Sequence, residues 1–356
     1  MAGPFTGLYV FGDSLSDTGN TSASTFGLQP GGGYFSGRFS NGPVYAERLA
    51  EGLGLGPLVR SGAGGTGYAF GGAETDGPGG FTGLLLNSLV EQVDDFLGDL
   101  GGVAADAGAL YVVFIGANDL FGGQTDVSIP VAETRTQIER LIGAGARNLL
   151  GINLPLLGLT PDFNGDAASA AEISSRTVAF NSQLADAYDA IELLNPAVTI
   201  DRLDLADQIS DLVTSPASWG FTNVVNRGQD IAGGTLDAPG YLFWDGVHPT
   251  REAHALLGEA AIRAVLPAGD YDRDGLVTAS DLGVWSGGFG AAFNALAGAT
   301  TGIEADANGD GLVDAADYTV WRDNLSISSA SQAVPEPASL ALLLPWALLL
   351  RARKNP

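Results

Sequence analysis

Apolar residues follow two patterns up to about residue 266. Short unbroken runs of β-branched, aromatic and aliphatic residues occur at Leu8-Tyr9-Val10-Phe11, at 110–115, at 148–153 and at Val198-Thr199-Ile200. Runs of that length without polar alternation predict strands buried on both faces. Between them, apolar positions recur in steps of three and four. Ile173, Thr177, Phe180, Leu184, Tyr188 and Ile191 share one predicted helix face, and Val131, Ile138, Leu141 and Ile142 share another. Strands separated by such helices imply parallel pairing through βαβ crossovers, so the expected fold is α/β, a parallel sheet sandwiched by helices.

Past residue 266 the pattern changes. The 54 residues from 270 to 323 hold ten acidic side chains and only two basic ones, Arg273 and Arg322. A Ser/Ala-rich linker follows, then Val334-Pro335-Glu336-Pro337, an apolar run at 338–350, and Arg351-Ala352-Arg353-Lys354. The chain therefore divides at 1–266, 267–326 and 327–356.

Charge and composition narrow the chemistry. Sixteen Lys and Arg against 41 Asp and Glu leave a formal charge of −25 over 356 residues, which argues against nucleic acid or an anionic membrane as an electrostatic partner. The absence of Cys excludes disulfides, thiolate metal sites and a cysteine nucleophile. With two histidines in the chain, any imidazole base is His248 or His254. No carboxylate lies three residues before His254, so a packing or surface role is expected for it.

The first predicted strand runs into Gly12-Asp13-Ser14-Leu15, where a serine beside glycine at a strand-to-loop turn can stand clear of the backbone. A capped turn would look the same, so the other pieces decide. In Asp245-Gly246-Val247-His248 the Asp can hold an imidazole Nδ1 proton while Nε2 faces a serine. Gly116-Ala117-Asn118-Asp119 places a side-chain amide at the C-terminal edge of the sheet, where ligands bind in open α/β folds. Tyr68-Ala69-Phe70-Gly71-Gly72 offers a bare glycine N–H to a substrate oxygen. Asp13, Asp17 and Asn20 read as elbow and capping residues.

These four blocks, in this order, resemble the GDSL (SGNH) lipase/esterase family over roughly residues 8–266. Arg38-Phe39-Ser40-Asn41-Gly42-Pro43, Asn153-Leu154-Pro155 and Gly220-Phe221-Thr222-Asn223 resemble its thermolabile-haemolysin and plant-type branch. Gly67 stands where relatives usually carry Asn. The resemblance implies an SGNH-hydrolase-like fold and cofactor-free hydrolysis of carboxylic esters, of a lipid or an acylated carbohydrate. Ser14 would be the nucleophile, His248 the base and Asp245 its orienting carboxylate. The oxyanion would sit among Ser14 N–H, Asn118 and a glycine N–H, taken as Gly72 with Gly71 as the neighbouring choice. Loops 21–37 and 74–90 are expected to shape the acyl pocket.

The acidic segment contains a repeat. Asp270-x-Asp272-x-Asp274-Gly275-Leu276-x-Thr278-x-x-Asp281 recurs as Asp306-x-Asn308-x-Asp310-Gly311-Leu312-x-Asp314-x-x-Asp317. Carboxylate, amide and hydroxyl oxygens at loop positions 1, 3, 5, 9 and 12, backbone carbonyls of Leu276 and Leu312 at position 7, and Gly at position 6 match an EF-hand calcium loop. The duplicated loop-helix unit resembles a dockerin type I module, which implies two structural Ca²⁺ ions and a possible cohesin-like partner.

The tail resembles a PEP-CTERM sorting signal, which implies processing by an exosortase at the surface of a Gram-negative bacterium. Its apolar run at 338–350 is 13 residues long, short of the roughly 20 that span a bilayer. An exported protein is expected to carry a signal peptide. Only seven residues precede the first strand, so the natural start is expected upstream of Met1 or the chain is truncated. Two other readings remain at this level, an esterase of carbohydrate acetyl groups and a non-enzymatic calcium-binding surface protein.

Overall fold

The computed structural model describes residues 3–77, 85–297 and 302–325. The linker and the PEP-CTERM-like tail lie outside the described residues. In chain order the elements are β1 (Leu8–Gly12), α1 (Asn20–Ser24), α2 (Tyr45–Gly52), α3 (Leu89–Asp99), β2 (Leu110–Phe114), α4 (Ala117–Phe121), α5 (Ser128–Ala144), β3 (Asn148–Ile152), α6 (Ala167–Leu194), β4 (Thr199–Leu203), α7 (Leu205–Thr214), β5 (Asn223–Arg227), β6 (Tyr241–Phe243), α8 (Arg251–Val265), α9 (Ala279–Gly288) and α10 (Ala315–Asn324).

The main sheet is parallel in the order β1-β2-β3-β4, with Leu8 opposite Leu110, Leu110 opposite Asn148, and Asn148 opposite Thr199. These are the four strands that the apolar runs predict. A fifth edge has no such signature: Thr66 to Phe70 runs beside β1, with Val10 N–H donating to Thr66 O, Tyr68 N–H to Val10 O and Phe70 N–H to Gly12 O. Its sequence, Thr-Gly-Tyr-Ala-Phe, carries neither an apolar run nor strict alternation. The ladder to β1 is what extends it.

Side chains alternate across the sheet. Tyr9, Phe11 and Tyr111 meet Phe96 of α3, while Phe114 meets Tyr45 of α2. Helices α3, α5 and α6 pack in succession, α2 packs on α8, and α8 also touches β3 and β4. The buried residues of α6 include Ile173, Thr177, Phe180, Leu184, Tyr188 and Ile191, the face that the helical spacing marks. Residues 271–321 carry a second, smaller core around Tyr271, Val277, Val313 and Trp321. That segment also feeds the main core, which includes Phe293, Ala295 and Ile303.

Candidate active site

Every strand of the main sheet ends at the same edge, and the site is built there. Gly12 closes β1 with φ +152°, and a Cβ on it would come within 2.2 Å of Phe114 O, so only glycine fits. Gln92 of α3 grips the same residue, accepting from Gly12 N–H at 2.8 Å and donating to Gly12 O at 2.9 Å. Thus anchored, the chain turns and presents Ser14 Oγ 2.8 Å from His248 Nε2.

His248 arrives from the turn after β6. Trp244 N–H donates to His248 O across that turn at 2.7 Å. Asp245 Oδ1 accepts the N–H groups of Val247 and His248 at 2.9 and 2.8 Å, which fixes the carboxylate. His248 Nδ1–H donates to Asp245, 2.7 Å from Oδ2 and 2.9 Å from Oδ1. Burial works against the charge on Asp245, but the His248 imidazole and the hydrogen bonds outweigh it and hold the carboxyl well below the usual range. Burial likewise opposes a charged His248, and the neighbouring Asp245 carboxylate overcomes it, so the imidazole's pKa lies above the ordinary histidine value. The pair is thus poised with an ionised Asp and a strengthened base.

Two residues of the loop before α2 complete this arrangement, and neither is a sequence candidate. Tyr34 donates its phenolic O–H to Asp245 Oδ2 at 2.7 Å, and the Phe39 ring lies 5.2 Å from the His248 ring. Tyr34 is 211 positions from Asp245, so no local pattern announces the contact.

The candidate oxyanion donors differ in what their N–H groups already do. Gly71 N–H is committed to Thr21 Oγ1 at 2.7 Å and Asp17 Oδ2 at 3.0 Å. Gly72 N–H and Ser14 N–H have no partner among the described residues. Gly72 has φ +82°, a left-handed conformation that favours glycine. Asn118 Nδ2 gives one hydrogen to Ala73 O at 2.9 Å, which leaves its second for a ligand. Ser14, Gly72, Asn118 and His248 all line one cavity of about 180 Å³.

Asp17 also accepts from Gly19, Asn20 and Thr21 N–H, so one buried carboxylate starts α1 and holds the turn before Gly72. Asn20 Nδ2 donates to Gly67 O and Ala69 O, bracing the segment that leads to Gly71. Asp119 holds Thr75 through its hydroxyl at 2.7 Å and its N–H at 3.1 Å. Asp13 accepts from Leu15 N–H, and its burial raises its pKa to about 6. His254 is fully buried on α8, where Nδ1 accepts from Tyr45 N–H at 3.2 Å; burial lowers its pKa to about 3, so it packs as a neutral ring.

Residues 8–261 match the model of the GDSL-like lipase/acylhydrolase family. This chain belongs to that family. A phosphatidylcholine-sterol acyltransferase of Aeromonas hydrophila is 26% identical over 309 residues, covering 72% of this chain and 89% of that protein. A GDSL esterase/lipase of Arabidopsis thaliana is also 26% identical over 309 residues, covering 72% of this chain and 88% of its own. The thermolabile hemolysin of Vibrio parahaemolyticus is 27% identical over 282 residues, 74% of this chain and 64% of that one. As a GDSL-family member, the protein is a hydrolase acting on ester bonds.

The two acidic loops share a set of equivalent hydrogen bonds. Asp281 Oδ1 accepts from Tyr271 and Asp272 N–H and its Oδ2 from Thr278 N–H; Asp317 does the same with Ala307, Asn308 and Asp314. Asp270 and Asp306 accept from Gly275 and Gly311 N–H respectively. Trp285 Nε1–H donates to Asp314 O and Trp321 Nε1–H to Thr278 O, both at 2.7 Å, so each helix is tied to the other's loop. Carboxylate oxygens of Asp270, Asp272 and Asp274 lie within 4.8 Å of one another, and an all-oxygen donor set suits a hard divalent cation. Oδ1 of Asp281 and of Asp317 already accepts two backbone hydrogens, while Oδ2 of each accepts one and keeps a further lone pair for a cation.

Proposed function

We propose that this chain is an exported carboxylic-ester hydrolase in which Ser14 is the nucleophile, His248 the general base and acid, and Asp245 the group that orients His248. The observation carrying this reading is the 2.8 Å approach of His248 Nε2 to Ser14 Oγ, with Nδ1 on Asp245 behind it. His248 takes the Ser14 proton as Oγ attacks the ester carbonyl. The oxyanion is received by Ser14 N–H, Gly72 N–H and Asn118 Nδ2. Collapse of the tetrahedral intermediate breaks the ester C–O bond, and His248 protonates the leaving alcohol. A water then gives a proton to His248 and attacks the acyl-enzyme, which releases the acid and restores Ser14. On a short-chain aryl ester, Ser14→Ala should lower kcat by about 10⁴-fold or more; equal rates would sink the assignment.

A lipid acyl ester is the leading substrate. The cavity beside Ser14 is lined mainly by apolar side chains, and the Aeromonas relative's name places a phosphatidylcholine acyl group in its reaction. An esterase of acetylated carbohydrate is the second reading, favoured by the dockerin-like repeat.

The repeat is proposed to bind two Ca²⁺ ions, through Asp270, Asp272, Asp274, Leu276 O and Asp281, and through Asp306, Asn308, Asp310, Leu312 O, Asp314 and Asp317. Calcium supplies cross-linking of oxygen ligands there and takes no part in ester chemistry. The equivalent bonds of the two loops support the reading. Calorimetry should detect calcium uptake by the full chain, and absence of uptake would overturn it. Export, exosortase processing of the tail and a cohesin-like partner remain proposals from the sequence resemblance.

A further inference from the structure

The cavity at Ser14 has a depth and a floor that speak to the acyl group. The sequence reading expects loops 21–37 and 74–90 to shape it. Loop 21–37 contributes Gln29, and residues 78–84 of the second loop lie outside the described residues. Among the described residues, the deep wall comes from regular elements: Leu205 and Ile209 of α7, Phe243 of β6, Leu257 of α8 and Phe114 of β2. All five are buried.

Direction along the helices gives the depth. Helix α7 begins two residues after β4 ends, so it starts at the catalytic edge and runs back along the sheet. Leu205 therefore stands near the edge, and Ile209 lies one turn deeper, about 6 Å along the axis. Helix α8 likewise begins three residues after His248, and Leu257 sits about 9 Å down it. The charged and amide groups of the lining, Asp13, Gln29, Asn118 and His248, belong to the nucleophile turn, the mouth and the catalytic edge. The buried Thr160 hydroxyl is already given to Leu157 O at 2.7 Å. Nothing on the deep wall calls for a polar ligand.

We infer that this pocket selects medium-chain acyl groups, of about six to eight carbons, and that Ile209 and Leu257 form the floor that sets the length. The inference rests on the hydrolase reading above and goes beyond it by naming the acyl class. The volume supports it: a dry apolar cavity of about 150 Å³ lined by Leu, Ile and Phe side chains holds the six carbons of benzene, and this one measures about 180 Å³. An acetyl group would leave most of that apolar wall without a partner. A palmitoyl chain would run past the floor and have to leave the cavity.

The test is a series of p-nitrophenyl esters from acetate to palmitate, assayed with the full chain and compared through kcat/KM. Each methylene that enters the cavity should raise kcat/KM by up to about fourfold, so hexanoate or octanoate should exceed acetate by on the order of tenfold or more, and longer chains should gain nothing further. Ile209→Phe should lower the octanoate-to-acetate ratio, and Ile209→Ala should move the optimum to longer chains. Ratios within one variant do not depend on how much of it folds. A wild-type preference for acetate, or an optimum at palmitate that neither Ile209 variant moves, would overturn the inference. In either case, loss of turnover in Ser14→Ala would leave the hydrolase reading standing. Turnover that survives Ser14→Ala would instead show that the Ser14 assignment had failed.

Discussion

Gly71 and Gly72 are adjacent and chemically identical, yet only one has an N–H to offer. The sequence leaves the choice open, because the deciding partners, Asp17 and Thr21, lie about fifty residues upstream. Ser14, Asp245 and His248 are legible as candidates because each sits in a short block with its chemistry on display. Tyr34 is not, because its meaning lies only in the distant carboxylate it touches. Removing one oxyanion donor should be costly: Asn118→Ala is expected to lower kcat by about 10²–10³ with a smaller change in KM, measured on a single aryl ester. Tyr34→Phe is expected to lower kcat several-fold through looser orientation of the pair. It should also shift the pH profile. His248 must be neutral to act as base, so kcat/KM rises with pH through its pKa, which lies above the ordinary histidine value. The Tyr34 hydrogen bond helps hold Asp245 low. Without it the carboxylate attracts the imidazolium more strongly, and the acid limb should move to higher pH. A limb that stays put would show that Tyr34 only fills space, and one that moves lower would contradict the sign of its effect on Asp245.

At the scale of elements, periodicity carried β1 to β4 and the buried face of α6, since burial on one or both faces writes itself into spacing. The Thr66–Phe70 edge was invisible because its conformation comes from hydrogen bonds to β1 rather than from its own residues. The start of α1 is tied to that edge by Asp17, which is fully buried and accepts from three N–H groups of the helix start and from Gly71. Burial raises the pKa of Asp17, so its hydrogen bonds are what keep the charge tolerable. Asp17→Ala would strand those donors and should lower stability by about 2–4 kcal/mol, read from denaturant midpoints. It should also reduce kcat, because Gly72 follows directly on the released Gly71. Normal stability with normal kcat would show that the turn is held by other contacts.

For the molecule as a whole, the unexpected feature is how the acidic repeat sits on the hydrolase. Sequence reading treats the repeat as an appended unit, and its separate composition encourages that view. Yet Arg273 of the first loop pairs with Glu259 of α8 at 2.6 Å, Arg263 of α8 approaches Asp306 of the second loop at 4.0 Å, and Phe293 stacks edge-on against Trp219. Such contacts join residues far apart in sequence and leave no periodic trace. The stability of the two parts should therefore be linked. If the loops bind calcium, saturating Ca²⁺ at about a hundred times Kd adds roughly 2.7 kcal/mol per bound ion, and the full chain should melt in one transition that EDTA moves to lower temperature. Two transitions, with only the smaller one sensitive to EDTA, would mean the parts unfold separately. The central claim, that ester cleavage passes through an acyl group on Ser14, is tested most directly by rapid quench of the enzyme with an aryl ester and peptide mass mapping. One acyl adduct on the peptide carrying Ser14, missing from Ser14→Ala, is the predicted result; an adduct on another residue, or turnover that persists in Ser14→Ala, would contradict it.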